Sequence, residues 1–213
     1  MKKIFLILVY LVSFTGIIVT AVLYPSLPEV IPMHWDMNGV IDSYGTKLQA
    51  FIMPVVSVFL ITAMLLFPRI DPKKESYKSF GMHYDIFIFV LSLFFFVMQS
   101  IILKASFNPA SIQMNNLMPV IIGSLFSVIG MLMPKFAHNY FIGIKLPWTL
   151  SSTENWEKTH KFAGPVWIAG GVLTILCGFL LAAYAFYVSM AIIVLMVLVP
   201  AVYSYILFKR SLS

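Results

Sequence analysis

Six stretches of this chain carry no Asp, Glu, Lys, Arg or His: about 4–23, 48–67, 86–103, 117–133, 164–183 and 187–208. A hydrocarbon layer about 30 Å thick is crossed by roughly 20 apolar residues in helix, and every backbone polar group inside it must be bonded within the segment or a closed barrel. The pattern predicts an all-α, polytopic membrane protein with six transmembrane helices. Of the 213 residues, 61% are hydrophobic and only 10% charged, where soluble domains carry about 25%. One cysteine, Cys177, sits inside an apolar run and excludes an internal disulfide framework and a cysteine zinc site. Lys2 and Lys3 before the first stretch, with Val19-Thr20-Ala21 near its end, resemble a signal peptide. The apolar region is too long for one, so an uncleaved anchor is expected.

Orientation follows from where Lys and Arg fall. With the N-terminus in the cytoplasm, the inner segments hold twelve: Lys2, Lys3, Arg69, Lys73, Lys74, Lys78, Lys135, Lys145, Lys158, Lys161, Lys209 and Arg210. The outer ones keep Lys47 and Lys104. Both termini are therefore expected in the cytoplasm, with an outer loop at 24–47 and an inner loop at 136–163 in one membrane domain. The basic excess is topogenic, and no direct nucleic acid binding is expected. The uncharged spans argue against an ion-coupled pump, which places ionisable groups at mid-membrane. Ser57, Thr62, Gln99, Ser100 and Ser127 remain as hydrogen-bonding positions within the spans. Gly123 and Gly130, like Gly171 and Gly178, lie seven apart and let helices approach. Pro165 is expected near the start of its span, where proline disturbs a helix least.

The inner loop is a polar, aromatic-rich island, NYFIGIKLPWTLSSTENWEKTHKFAG over residues 139–164. Gly143 and Pro147 among apolar groups predict a tight turn or re-entrant strand at the membrane surface. Ser151 and Glu154 are spaced as a capping box opening a helix. Trp156, Thr159, His160 and Ala163 then share one face of a short interfacial helix, with Trp156 at headgroup depth. His138, His160 and Glu157 lack the helical spacing of a zinc site, as do His83 and Asp85. Ser151 or Ser152 with Lys158 could form a hydrolase dyad, but capping already accounts for Ser151.

In the outer loop, Pro25, Pro28 and Pro32 predict a stiff extended segment, and Asn38-Gly39 a turn. Three readings stay open there. The loop is a compact structure stapled by its own hydrogen bonds. It is a receptor surface for an extracellular peptide, with rigid aromatics for contact area and carboxylates to attract a cation. Or it holds a metal through His34, Asp36 and Asp42, a weak motif with no second histidine outside.

GIKLPWTLSSTENWEKTHKFAG resembles the signature of the SdpI family, bacterial membrane proteins named for immunity to a secreted sporulation-delaying toxin. LPEVIPMHWDMNGVIDSYGTK is similar to an uncharacterised membrane domain that often precedes that signature. The resemblance implies a six-span, multi-pass protein of a Gram-positive-type plasma membrane, without enzymatic activity or cofactor. It implies immunity to a secreted toxin or antimicrobial peptide. It also implies a receptor role, with a transcriptional autorepressor held at the membrane. The candidate ligand-binding residues outside are His34, Trp35, Asp36, Asp42, Tyr44 and Lys47, all but Asp36 at positions that match the resembled motif. The signature or partner-binding residues inside are Gly143, Pro147, Trp148, Thr149, Asn155, Trp156 and His160. A small-molecule or peptide transporter without buried ionisable groups is the alternative from another class.

Overall fold

A computed structural model describes residues 2–181 and 183–212. Among the described residues, six long helices are apolar enough to cross a membrane. They are α1 (Lys2–Leu23), α2 (Ile52–Ile70), α3 (Tyr77–Phe107), α4 (Met114–Leu132), α6 (Thr153–Leu180) and α7 (Ala185–Arg210), with a short α5 (Pro147–Ser151) before α6. The protein is an all-α multi-pass membrane protein. Between α1 and α2 lies one antiparallel hairpin, β1 (Val30–Trp35) and β2 (Ile41–Thr46).

On α1 the buried face is marked mainly by small and hydroxylated residues. On α1, Ile4, Ile7, Leu11, Ile18 and Val22 are exposed, while Val9, Ser13, Gly16 and Thr20 are buried at helical spacing. Lipid solvates Ile and Leu as well as a protein core does, so helices associate through close contact and hydrogen bonds. The Ser13 hydroxyl donates to the Val9 carbonyl (3.0 Å) and Thr20 to the Gly16 carbonyl (2.7 Å), so neither is left unbonded.

The chain forms two compact units. In the first, Met1–Leu65 with Ile88–Met118, the core is Leu27, Ile31, Ala50, Ile102 and Leu103, packed by Val19, Leu23, Tyr24, Met33 and Met53. Gln99, fully buried, donates through Nε2 to the Thr20 hydroxyl (2.8 Å) and the Ala50 carbonyl (3.0 Å), tying α3 to α1 and to the turn before α2. In the second unit, Leu66–Phe87 with Pro119–Ser213, α4 meets α6 across glycines. A Cβ on Gly123 would lie 2.5 Å from the Gly171 carbonyl oxygen, and one on Gly130 2.8 Å from that of Gly164. The glycine reading therefore holds for Gly123, Gly130 and Gly171.

Several boundaries differ from those expected. α3 and α6 begin well before their apolar cores, because their polar first turns pack against neighbouring loops. The interfacial stretch expected from Ser151 is continuous with the fifth span from Thr153, and only α5 is a separate short helix in that loop. Pro165 consequently sits inside α6, where it removes an N–H from the helix ladder. The expected end of the fifth span includes Ala182, which lies outside the described residues; the helix ends at Leu180. The outer loop is extended as expected, but its extended segment is one strand of a hairpin.

Gly171→Leu should lower stability by about 1–3 kcal/mol, because the helix backbones cannot separate without losing their contact. Gly16→Ala, whose Cβ would meet only the Pro54 Cβ at 3.3 Å, should stay close to the parent. Thermal unfolding in detergent checks both, and equal midpoints would remove the glycine contact as a determinant of packing.

Candidate functional site

The hairpin of the first unit is fixed at both ends. At its base Ile31 is buried in the core, Lys47 pairs with Glu29 (2.7 Å), and the ammonium lies over the Tyr24 ring. At its tip Asp36 Oδ1 accepts the N–H groups of Asn38 (2.9 Å) and Val40 (2.8 Å). These bonds, that of Val40 first, hold the Asp36 carboxyl below its ordinary range, so it is ionised and committed to the turn. Gly39 has φ +73°, the left-handed region glycine adopts freely. The Asn38 carbonyl accepts the Asn115 side-chain amide at 2.7 Å, clasping the turn to the start of α4. Of the sequence candidates, His34 Nδ1 and Asp42 Oδ1 are brought together at 2.6 Å on the exposed side. Tyr44 is 58% exposed and Trp35 half-buried. Among the described residues no three His, Cys, Asp or Glu side chains are placed to hold a metal ion.

The inner site belongs to the second unit. Residues 137–146 form neither helix nor strand, so their backbone groups need other partners. Asn139, fully buried, supplies several: Oδ1 accepts the N–H groups of Phe141 (2.9 Å) and Ile142 (2.8 Å), and Nδ2 donates to the carbonyls of Ala137 (2.9 Å) and Ile142 (3.0 Å). Asp71, 2% exposed, accepts the Tyr140 N–H (3.0 Å) and Tyr77 hydroxyl (3.0 Å) on Oδ2 and the Lys73 N–H (2.7 Å) on Oδ1. Thr149 takes the Leu146 N–H (2.8 Å) and donates to the Ile144 carbonyl (2.7 Å), starting α5.

Trp156 is 0% exposed and lies between two imidazoles. Ring centroids are 4.9 Å away at His138 and 4.1 Å at His160, both nearly parallel to the indole. Its Nε1–H donates to the Phe136 carbonyl at 2.8 Å. His160 Nε2 accepts the Ile144 N–H (2.9 Å), so Nε2 carries the lone pair and Nδ1 the proton. That proton goes to the Trp156 carbonyl, 2.8 Å away. His138 Nδ1 accepts from the Lys73 ammonium (2.7 Å), with the Thr153 hydroxyl at 3.2 Å. Its Nε2 is buried without a hydrogen-bond partner. Burial and then the Lys73 charge push the His138 pKa below its ordinary 6.5, with the Leu150 carbonyl acting in the opposite direction.

Gly143 is required twice over. Its φ is +118°, and a Cβ would overlap His160 Nε2 and come within 2.9 Å of the Trp156 ring. Trp148 Nε1–H donates to the Ser204 hydroxyl (2.7 Å), and Asn155 Nδ2 to the Ser204 carbonyl (2.9 Å), so both bind one residue of α7. Pro147 is exposed at the first position of α5. The cap of α6 is Ser152, whose hydroxyl accepts the Asn155 N–H (3.2 Å), and not Ser151, which donates to the Trp148 carbonyl (3.2 Å). Glu154 pairs with Lys158 (2.6 Å) instead of completing a capping box. Trp156, expected as an interfacial anchor, is enclosed in protein.

A family model described as the SdpI/YfhL protein family matches residues 135–204. Over that third of the chain the sequence is similar to the SdpI/YfhL protein family. A second model, a domain of unknown function (DUF1648), matches residues 11–58. The immunity protein SdpI of Bacillus subtilis (strain 168) is 25% identical over 198 residues, which are 92% of this chain and 87% of that relative. No solved structure matches. The family region starts one residue before Phe136, the acceptor of Trp156, and ends on Ser204, the acceptor of Trp148 and Asn155. The second match takes in the whole hairpin.

Sequence reasoning missed Asp71, Tyr77 and Asn139, and weighed His138 only as a metal ligand. Asp71-Pro72 is a recognisable turn signal, and the Asp71–Lys73 bond is that turn. Nothing in the sequence joins it to Tyr140, 69 residues away.

Asp71→Asn should cost about 1–3 kcal/mol, since one acceptor oxygen is replaced by a donor facing a donor; thermal unfolding with Trp emission reads the loss. His138 adds a pH dependence. Its folded pKa lies below the unfolded value, so on acidification the unfolded chain takes up the proton first. Its contribution is complete above about 6.5 and is lost as pH falls below that. Stability should therefore drop between about pH 7 and pH 5, and less steeply in His138→Gln. Identical slopes would show that the ring is not held neutral.

Proposed function

We propose that this protein is a membrane immunity protein protecting the cell from a secreted toxin or antimicrobial peptide. The observation that carries the reading is its similarity, along nearly the whole chain, to a relative named an immunity protein. The hairpin supports it as the recognising element. A turn clasped at Asn115 and a base pinned by Glu29–Lys47 present Trp35, His34, Asp42, Tyr44 and Lys47 with little conformational entropy left to lose on binding. The bias of Lys and Arg to one set of connections supports a hairpin outside and a 136–163 loop in the cytoplasm.

The inner loop is read as the docking place for a transcriptional repressor. Trp156, His160, Thr149 and Asn155 are buried, so their part is to hold the loop, and a partner meets the exposed Tyr140, Lys145 and Pro147. No catalytic step is involved. Capture of the toxin before it disrupts the bilayer is sufficient for immunity; the repressor function adds signalling.

Expression in a toxin-sensitive strain tests the reading. The wild-type chain should raise the inhibitory concentration, and Trp35→Ala should lose about tenfold of that protection at equal membrane content, the loss expected for an aromatic anchor. Full protection by Trp35→Ala would remove the hairpin from the site. Protection accompanied by active toxin export would replace capture with transport.

A further inference from the structure

The two edges of the hairpin are not equivalent. The Lys47 N–H donates to the Glu29 carbonyl at 3.0 Å, so Lys47 faces β1. Antiparallel strands alternate, and the amide groups of Thr46 and Tyr44 therefore point away from β1 while those of Gly45 point toward it. The outward Thr46 N–H is met by Gln49 Oε1 at 2.7 Å. Among the described residues nothing meets the outward N–H and C=O of Tyr44. On the other edge, the position opposite Tyr44 is Pro32, which is buried and has no N–H, and the strand is irregular after it. Proline, bulges and covering side chains are how sheets close an edge to further pairing. Here they close β1 at Pro32 and β2 at Thr46, and leave β2 open at Tyr44.

We propose that this open edge of β2 takes an extended, cationic peptide strand by backbone pairing at Tyr44. The inference rests on the hairpin being the recognising element and adds the mode of recognition. Strand addition gives affinity through main-chain hydrogen bonds and selectivity through alternate side chains. The charge of the occupant follows from the hairpin and its base, where Glu29, Asp36 and Asp42 stand against the single ammonium of Lys47, itself held by Glu29. Asp42, in β2 beside Tyr44, shares Oδ1 with His34 but keeps its side chain 45% exposed, so a lysine or arginine on the added strand has a partner there. Gln49 on the Thr46 N–H sets the register, because pairing with the N–H groups of β2 stops at Tyr44.

The test uses the full chain in lipid nanodiscs and a synthetic ten-residue peptide alternating lysine and valine. Two twins accompany it, one N-methylated along its central amides and one with glutamine for lysine. The parent peptide should bind and slow amide exchange at Tyr44, and the N-methylated twin should bind at least tenfold more weakly although its side chains are unchanged. The glutamine twin should also be weaker. Tyr44→Pro should lose about tenfold, and Gln49→Ala, which frees one more donor, should bind at least as tightly. Equal binding of the N-methylated twin, or no binding of the parent peptide, overturns the proposal without needing any variant to fold. If Trp35→Ala still loses about tenfold of the toxin protection in that case, the hairpin remains the receptor and only the pairing mode is wrong. If Trp35→Ala protects fully, the underlying reading has failed instead.

Discussion

A polar group buried away from water must find a partner, and this requirement shapes the inner loop of the protein more than any other. Residues 137–146 have no helix or strand to satisfy their amides. Side chains replace the missing ladder: Asn139 closes its own turn, Asp71 takes the Tyr140 amide, His160 the Ile144 amide and Thr149 the Leu146 amide. Each is an acceptor aimed at one backbone donor. The indole of Trp156 fills the space between two neutral imidazoles, and glycine at 143 leaves room for it. The family-matched region is thus rich in Trp, His, Asn and Thr for a structural reason before any functional one.

The spans were legible because a run without charge is nearly unambiguous in a chain that must cross hydrocarbon. Their ends were less so. α3 and α6 extend through polar residues whose buried partners lie on other elements, and composition says nothing about where those partners are. The same reason explains Ser152 replacing Ser151 as the cap of α6: α5 had already used Ser151 at its end. In the outer loop the Asn38-Gly39 turn was readable. The hairpin around it was obscured by Pro32 and by register irregularities that break the alternation of a regular strand. Asp71 showed its local turn and hid its distant role, since a bond to Tyr140 depends on packing and not on spacing.

Rigidity is common to both polar regions and bears on function. The hairpin is held at its turn by Asn115 and at its base by the Lys47–Glu29 pair, and in the inner loop the N–H groups of Tyr140, Phe141, Ile142, Ile144 and Leu146 each meet a side-chain acceptor. A binding surface already in its bound shape loses little entropy when a ligand arrives. Immunity by capture needs no more than this: an exposed, ordered edge and a helical anchor in the membrane. Passing a signal to a repressor would need a second state of the protein, and the tightly bonded inner loop is the element whose opening would define one.

Capture outside and repressor docking inside require the hairpin and the inner loop to face opposite compartments. Cysteine labelling measures this in a Cys177→Ser background, using Met37→Cys in the hairpin turn and Lys145→Cys in the inner loop, both positions exposed. With a membrane-impermeant maleimide on intact cells, Met37→Cys should label at once and Lys145→Cys only after the membrane is opened. Labelling of both from the same side would contradict the account.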